Sequence, residues 1–316
     1  MPVVSSCSTS KASDRIGRLL ADEGFDYGLL ATEVAAECNL CDRTFADFIG
    51  CYDRNAIQIG VRACWHCGLL QLSPRMTAEG YADFYGRGIY RRLAHALTGS
   101  MHTPERLAGF QRRYADRLVD TFGSHLAHHR GGTLLDIGGS VGIIAKTIGD
   151  TFGLRATVLD PSADELAAVP PGVRAEQGLI ETWDADGRTF DVILMLQTVD
   201  HLLDIAGAFD RVRKLLAPGG VFLVDVVDYL AVAEKHGSIQ SALKIDHVFY
   251  LTKDTAMAYL VRAGLSPLVA GGFSDGLKHV FLCQAGERQA ILPTRPSVWQ
   301  AFSELHKAAQ CQPSGH

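Results

Sequence analysis

The sequence lacks any long uninterrupted apolar run. The longest apolar stretches, such as residues 192–196 and 221–224, are far shorter than the about 20 residues that a helix needs to span a membrane. The N-terminus also lacks a charged start followed by an apolar core, so we expect no signal peptide and a cytoplasmic location. No internal repeat or low-complexity tract is found.

The sequence has no large excess of charge of either sign. It contains 30 Lys and Arg against 35 Asp and Glu in 316 residues, which gives a net charge of −5. A slightly acidic chain argues against nonspecific binding to nucleic acid, because that binding needs a cationic surface. Hydrophobic residues make up 47% and charged residues 21% of the chain, so the composition excludes a disordered, collagenous or coiled-coil protein and suggests about two globular domains.

Cysteine is too sparse for a fold held by disulfides, since the chain has eight. Five of them lie between positions 38 and 67, and such a cluster is typical of metal binding or catalysis in a reducing compartment. Two C-x-x-C pairs separated by 22 residues predict a tetrahedral zinc site in a ribbon. The predicted ligands are Cys38, Cys41, Cys64 and Cys67. Cys51 and His66 are possible substitutes, and a redox pair or chance surface cysteines are the alternatives.

The sequence divides into five predicted parts. Residues 1–33 form an N-terminal extension, 34–75 the zinc ribbon, 76–130 a helical linker or lid, 131–285 the largest domain, and 286–316 a helical tail. In the largest domain, short apolar strands alternate with amphipathic helices, which is typical of a parallel sheet with helices on both faces. We therefore predict an α/β, Rossmann-like fold. The ribbon itself is an irregular stretch with few apolar periods, so its metal is expected to supply much of its folding energy. The domain at residues 131–285 is expected to survive loss of the metal, because its sheet is separate.

A glycine-rich loop, residues 138–142, follows the first strand of this domain. Its missing Cβ atoms let the backbone approach a ligand closely. The loop reads G-x-S-x-G, because Ile143 stands where the dinucleotide-binding pattern has a third glycine. Asp160 ends the next strand, 22 residues after Gly138, where a carboxylate can accept both ribose hydroxyls of a nucleoside. The alternative is an ordinary tight turn in an α/β domain that binds another ligand.

With these motifs, residues 131–285 resemble the class I S-adenosylmethionine-dependent methyltransferases. The loop and its strand resemble the family's first motif, Asp160 its ribose acid, and residues 216–220 its late turn. Ser140 departs from the family, which usually has glycine there. The resemblance implies seven strands in the order 3-2-1-4-5-7-6 with the last strand antiparallel, and S-adenosylmethionine as cofactor. The residues assigned to the cofactor are Asp136, Gly138, Gly139, Ser140, Gly142, Asp160, Glu181 and Gln197. A solvated loop acid is the alternative for Glu181.

The ribbon and the aromatic-rich segment after it resemble a subgroup of methyltransferases with an N-terminal zinc ribbon. Many of its members act on sugars or related small metabolites. In its sugar C-methyltransferases a Glu-His pair after the fifth strand is associated with proton abstraction, and Asp246-His247 stands here. The resemblance makes His247 the first candidate base, with Asp246 orienting it or binding a substrate hydroxyl. His201 is the second candidate. Packing roles are the alternative for both histidines. Packing is also the first expectation for Tyr85 and Tyr90, and closure over the cofactor or substrate is their alternative.

The sequence therefore predicts an enzyme that transfers a methyl group to a small metabolite, with sugars and nucleotide-sugars as candidate substrates and no membrane partner. One alternative is a nucleic-acid methyltransferase whose ribbon recognises RNA or DNA. The ribbon's four arginines are balanced by four acidic residues, which opposes that reading. Another alternative is a catalytically silent binding module of the same fold, for which Ser140 is the sole hint in the motif.

Overall fold

The computed structural model describes residues 31–294 except 45–46, 56, 99–102 and 273–275, together with residues 18, 19, 21, 22 and 303. Among these described residues, no helix is long and apolar enough to cross a membrane. The predicted N-terminal extension lies mostly outside them. Residues 286–294 contain no helix, so the prediction of a helical tail is wrong for them, and the rest of the tail apart from Ser303 lies outside the described residues.

The first part of the described chain contains short strands followed by three helices. The strands are β1 (Thr32–Glu33), β2 (Asp47–Tyr52), β3 (Gln58–Ala63), β4 (Leu70–Leu72) and β5 (Arg75–Met76). The helices are α1 (Ala78–Gly86), α2 (Ile89–Thr98) and α3 (Pro104–Leu126). Helix α3 begins at a capped terminus, because the Thr103 side chain accepts from the amide of Arg106 and Pro104 occupies the first turn, where no amide partner is needed.

The second part of the chain alternates strands and helices. Its first elements are β6 (Thr133–Ile137), α4 (Ile143–Phe152), β7 (Arg155–Asp160), α5 (Ala163–Leu166), β8 (Arg174–Gln177), β9 (Phe190–Met195) and α6 (Ile205–Leu215). They are followed by β10 (Leu216–Val227), α7 (Tyr229–His236), β11 (Phe249–Tyr250), α8 (Lys253–Arg262), β12 (Leu265–Gly272) and β13 (Lys278–Ala285). Short 3-10 turns cover Val199–His201 and Ile239–Ala242.

Seven of these strands form one sheet in the order β8-β7-β6-β9-β10-β13-β12. Strand β13 runs antiparallel to β10, whereas β6, β7, β8, β9 and β10 pair in parallel. This arrangement confirms the predicted order 3-2-1-4-5-7-6 and the predicted antiparallel last strand. The carboxyl ends of β6, β7 and β9 therefore meet at one edge of the sheet, where ligands of open α/β sheets bind.

Two hydrophobic clusters lie on opposite faces of the sheet. In β9, Val192 and Leu194 belong to one cluster, while Ile193 and Met195 belong to the other, as the alternation of side chains along a strand requires. One face packs against α3 and α4, and the other packs against α6, α8 and the ribbon. Strands covered on both faces are almost wholly apolar for this reason.

The ribbon is more regular, and more closely joined to the sheet domain, than the sequence predicts. Strands β2, β3 and β4 form an antiparallel sheet whose fourth strand is β11, which pairs Phe249 with Gln71 and Tyr250 with Leu70. The fully buried ribbon residues Val61 and Leu70 belong to the same cluster as the sheet core. The expectation of an irregular ribbon is thus wrong, and the fourth strand of the ribbon, β11, comes from the chain after the fifth parallel strand, β10. The ribbon strands and the seven-stranded sheet nevertheless form two separate sheets, as expected.

Candidate active site and metal centre

A cavity of about 1150 Å³ opens at the carboxyl ends of the parallel strands. It is bounded by the glycine loop, by helices α1 to α3, and by the segment between α7 and β11. The cavity brings together most of the site residues predicted from the sequence. Those that line it are Asp136, Gly138, Gly139, Ser140, Asp160, Glu181, Gln197, His201, Asp246 and His247. Gly142 is the exception, since it does not line the cavity and instead caps the start of α4.

The glycine loop is shaped by left-handed backbone conformations. Gly138 has φ 70°, and a Cβ there would collide with Thr198. Ser140 has φ 56°, a conformation that glycine adopts freely and serine adopts at a cost. The usual glycine at this position therefore has a plain physical reason. The amide of Ser140 donates to Oδ2 of Asp160 at 2.9 Å, which ties the loop to the end of β7.

Asp160 lines the cavity beside the glycine loop, at the end that we term the cofactor end. Its Oδ2 accepts from the Ser140 amide and its Oδ1 from the Ser162 amide, each at 2.9 Å. Burial raises the pKa of the Asp160 carboxyl to about 6, so the group is ionised at neutral pH. Each carboxylate oxygen retains a second lone pair for a ligand hydroxyl.

Three buried polar atoms around the loop have no partner in the described protein. They are Oδ2 of Asp136, Oγ of Ser140 and Oε2 of Glu181. Burial raises the pKa of Asp136 to about 8 and also raises the pKa of Glu181. Buried polar atoms are nearly always paired in folded proteins, so these atoms fit a ligand that brings its own polar groups. The amino groups and ribose hydroxyls of S-adenosylmethionine meet that need.

Gln111 of α3 bonds to the glycine loop and to the helix after it, and no sequence pattern predicted this contact. Its Nε2 donates to the carbonyl of Gly139 at 3.2 Å, and its Oε1 accepts from the amide of Ile143 at 2.9 Å. One side chain thus holds the loop and the first turn of α4 together. No local signal could have revealed it, because Gln111 precedes the motif by almost 30 residues and reaches it only after α3 packs on the sheet.

The far end of the cavity holds two histidines at close range. The rings of His201 and His247 meet edge to face with centroids 4.7 Å apart. Nε2 of His247 lies 2.9 Å from Oδ2 of Asp200 and 2.9 Å from Nζ of Lys244. Asp246, the predicted orienting acid, is instead held by Lys244 at 3.0 Å. The partner of His247 is therefore Asp200, because adjacent side chains of this turn point in different directions.

The charges of this cluster shift the pKa values of its members. Burial alone would raise the pKa of Asp200, but His247, His201 and Lys244 together lower it well below the usual range. Burial lowers the pKa of His247 to about 4, against the opposing charge of Asp200. His247 is consequently neutral at neutral pH, and Asp200 is ionised.

His201 is oriented by groups from two other parts of the chain. Its Nδ1 lies 2.7 Å from the hydroxyl of Tyr85 and 3.0 Å from the backbone carbonyl of Asp246. A carbonyl can only accept, so these partners place the hydrogen on Nδ1 and leave Nε2 with its lone pair. Burial raises the pKa of Tyr85 far above its usual value, which keeps its hydroxyl protonated. Packing was the first expectation for Tyr85, and its hydroxyl also orients this imidazole.

Helix α2 contacts the opposite, cofactor end of the cavity. Tyr90 and Arg91 both bond to the carboxylate of Glu165 in α5, five residues after Asp160. The rings of Tyr85 and Tyr90 lie 4.8 Å apart. The two tyrosines, on successive helices, therefore cover the histidine end and the loop end of one cavity.

The structure gathers the sulfur atoms of the four predicted zinc ligands. Sγ of Cys38 lies 3.5 Å from Sγ of Cys67, and Sγ of Cys41 lies 3.5 Å from Sγ of Cys64. All four sulfurs lie within 4.8 Å of one another. Ligands about 2.3 Å from a tetrahedral zinc ion are about 3.8 Å apart, so this spacing fits such an ion. His66 is exposed and stands outside the cluster.

The first cysteine knuckle is anchored to helices of the sheet domain. Nδ2 of Asn39 donates to Asp204 at 2.7 Å, and its Oδ1 accepts from the hydroxyl of Tyr259 at 3.0 Å. Arg262 of α8 donates to the carbonyl of Leu40 and pairs with Asp42. The four-cysteine cluster thus lies where the ribbon is joined to the sheet domain.

The fold, the glycine loop and the acid that ends β7 together define a class I S-adenosylmethionine-dependent methyltransferase. A family model described as a methyltransferase domain matches residues 107–268, which is 162 of the 316 residues. The chain therefore belongs to this methyltransferase-domain family.

Curated relatives are methyltransferases too. The ubiquinone biosynthesis O-methyltransferase of Caulobacter vibrioides is 33% identical over 130 residues, which cover 38% of this chain and 50% of that protein. The sterol 24-C-methyltransferase of Gibberella zeae is 24% identical over 208 residues, which cover 61% of this chain and 52% of that protein. The chain spans about half the length of these relatives.

Two solved structures are also similar. The CcbJ methyltransferase from Streptomyces caelestis is 18% identical with a TM-score of 0.44, over 56% of this chain and 89% of that one. The glycopeptide N-methyltransferase MtfA complexed with S-adenosylmethionine is 18% identical with a TM-score of 0.41, over 56% of this chain and 92% of that one.

Proposed function

We propose that this protein transfers the methyl group of S-adenosylmethionine to a small metabolite bound in the same cavity. The observation that carries this proposal is that one cavity is lined both by the glycine loop and by the histidine cluster, His201 and His247. A methyltransferase must hold donor and acceptor in line and, for a weakly nucleophilic acceptor, remove a proton. The relatives named for ubiquinone biosynthesis and for sterols support a small-molecule acceptor.

The cofactor would be held by the groups around the glycine loop. The Asp160 carboxylate would accept from the ribose hydroxyls, and Glu181 would accept from the adenine amino group. The unpaired atoms of Asp136 and Ser140 would bond to the remaining polar groups of the cofactor. When bound, the sulfonium supplies an activated methyl group, so the protein's task on this side is binding and orientation.

The histidine cluster would supply the base, and we place His201 ahead of His247. Nε2 of His201 carries its lone pair because Nδ1 faces a carbonyl oxygen. The corresponding atom of His247 is already engaged by Asp200 and Lys244. A base with a pKa of about 4 also gives little driving force for proton abstraction at neutral pH. His247 and Asp200 would then hold the acceptor beside His201.

The acceptor that we propose is a sugar or a related hydroxylated metabolite. The end of the cavity that holds His201 and His247, which we term the acceptor end, carries the charged side chains of Lys244, Asp200 and Asp246. Such walls suit a substrate with several hydroxyl groups better than a wholly apolar one, because an apolar substrate would displace water from these charged groups without offering them hydrogen bonds. The resemblance of the ribbon to that of sugar methyltransferases agrees with this proposal.

The four cysteines would bind one structural zinc ion. Four protein ligands close the coordination sphere, which is the arrangement of structural and not catalytic zinc. The centre lies at the joint made by Asn39 and Arg262, so its role would be to fix the ribbon on the sheet domain.

Calorimetric titration with S-adenosylmethionine tests the proposed donor site. Charge-assisted hydrogen bonds contribute about 1.5–3 kcal/mol each, so Asp160→Ala should weaken binding tenfold or more. The exposed Asp164→Ala is the matched control and should bind normally. Incubation with methyl-labelled cofactor and a panel of small hydroxylated metabolites then tests transfer. A wild-type protein that does not bind the cofactor would refute the proposal.

A further inference from the structure

The hairpin between β2 and β3 carries a fixed amide side chain into the cavity. The carboxylate of Asp53 closes this turn by accepting from the amides of Asn55 at 2.8 Å and Ile57 at 2.9 Å. It also accepts from Nδ2 of Asn55 at 2.9 Å. Burial raises the pKa of Asp53 to about 6, so at neutral pH the carboxylate can only accept. Nδ2 of Asn55 must therefore face Asp53, and Oδ1 must point away from it.

The hairpin is tied to the segment that carries the histidine cluster. The amide of Arg54 donates to the carbonyl of Leu243 at 3.0 Å, and Nε2 of Gln240 donates to the carbonyl of Asp53 at 3.2 Å. Leu243 directly precedes Lys244, which contacts His247. The ribbon hairpin consequently belongs to the acceptor end of the cavity.

Asn55 is buried, lines the cavity and leaves one polar atom unpaired. The residue is 5% exposed, and its Oδ1 has no hydrogen-bond partner within the described protein. A buried amide oxygen without a partner is destabilising. The three other unpaired atoms that line the cavity near the glycine loop fit the cofactor. The Asn55 oxygen lies at the other end and needs a different ligand.

We propose that the ribbon forms part of the acceptor site and that Oδ1 of Asn55 accepts a hydrogen bond from a hydroxyl group of the acceptor. This inference rests on the proposed function. An amide oxygen has no hydrogen to give, so the ligand must donate. Lys244 and Arg54 also line the cavity, and their positive charges offset the carboxylates of Asp53 and Asp246, so the local charge does not call for an ammonium group. A neutral hydroxyl satisfies both conditions.

The metal centre and this contact are linked through one strand. Strand β3 starts at the hairpin and ends at Ala63, directly before the ligand Cys64. The other end of the joint is anchored by Asn39. Zinc would thus set the position of a strand that presents Asn55, so the ribbon would act in substrate recognition as well as in stability.

Binding of a probe pair tests this assignment without the natural acceptor. The probes are methyl α-D-glucopyranoside and its permethylated analogue, which keeps the ring but has no hydroxyl donor. Binding to protein saturated with S-adenosylhomocysteine is measured by saturation-transfer NMR. We expect the hydroxylated probe to bind at least tenfold more tightly than the permethylated one, because an unpaired buried oxygen discriminates strongly against a ligand without a donor.

Asn55→Ala should weaken binding of the hydroxylated probe by about 3- to 10-fold. It should also reduce the difference in affinity between the hydroxylated and the permethylated probe. The turn should survive, because Asp53 keeps both of its backbone partners. Gln58→Ala, an exposed residue on the same hairpin, should bind both probes like the wild type. Zinc content and cofactor affinity should be normal in both variants.

Equal binding of the two probes to the wild type would overturn the proposal, whether or not the variant folds. Failure of the hydroxylated probe to bind would do the same, as would unchanged binding by a folded Asn55→Ala protein. If the proposed function is wrong, the result differs, because the wild type would then not bind S-adenosylmethionine. The affinities of the two probes could still be compared on the protein without cofactor.

Discussion

The cofactor end and the acceptor end of the cavity are built in different ways. Most residues assigned to the cofactor come from one continuous stretch, from β6 through the glycine loop to the end of β7, and Glu181 and Gln197 follow later in the chain. The acceptor end combines Asn55, Tyr85, His201 and Lys244, from segments almost 200 residues apart. The first is a local motif that a sequence can display, and the second exists only after the ribbon, the helices α1 and α2, and the sheet have packed together.

Disrupting the four-cysteine cluster should have the largest effect on stability, because the ribbon and the sheet domain share one hydrophobic cluster. Cys64→Ser should abolish zinc binding and lower the thermal midpoint of the whole chain by about 10 °C or more. A single calorimetric transition is expected, since the ribbon and sheet domain share one hydrophobic cluster. This replaces the expectation that the sheet domain survives loss of zinc unchanged.

The matched control for the metal is His66→Ala, which alters an exposed neighbour on the same knuckle. It should keep one zinc ion per chain by metal analysis. Two separate transitions in the cysteine variant, with the larger one unshifted, would show that the ribbon and sheet domain are independent after all.

At the acceptor end, His201→Ala should lower turnover by about 10²- to 10⁴-fold, the usual contribution of a positioned base. Affinity for S-adenosylmethionine should stay within about twofold, because the imidazole faces the acceptor and not the loop. Turnover is measured with an acceptor found in the labelled-cofactor screen, and His236→Ala, an exposed histidine, is the control. A larger loss in His247→Ala would reverse our order of the two bases. Near-normal turnover in both would exclude them.

At the cofactor end, affinity for S-adenosylmethionine should depend on pH through Asp160. Its pKa is raised by burial to about 6, so the carboxylate protonates as the pH falls below that value. Protonation removes the charge that binds the ribose, and affinity should therefore fall by up to tenfold per pH unit below about 6. Titration calorimetry between pH 5 and 8 measures this. Asp160→Asn should flatten this part of the profile, and an unchanged slope in that variant would assign the titration to another group.

Loss of the Gln111 contacts to the glycine loop should have the smallest effect on cofactor affinity. Gln111→Ala removes two neutral hydrogen bonds, and affinity for S-adenosylmethionine should fall by about 3- to 10-fold. The neighbouring Arg112→Ala, exposed on the same helix, should leave it unchanged. Equal affinities of the two variants would mean that α3 does not position the loop.

The sequence was informative where neighbouring residues act together. The strand-loop-helix unit at residues 133–152 follows from apolar periodicity and from the need for small residues in a tight turn. The pairs C-x-x-C likewise pointed to the four cysteines whose sulfurs the structure brings together, because each knuckle is local. The sequence also pointed to both histidines, although it assigned Asp246 as the partner of His247.

Only the tertiary structure decided which groups face each other across the cavity. Asp200 replaces Asp246 as the partner of His247, Tyr85 fixes His201, and Gln111 holds the loop from a distant helix. Side-chain direction in a turn, and the pairing of β11 with β4, depend on packing between remote segments, which leaves no local pattern in the sequence. The chain thus determined its fold class and its cofactor motif by itself, while the acceptor end was decided by how the ribbon, the helices α1 and α2, and the sheet pack together.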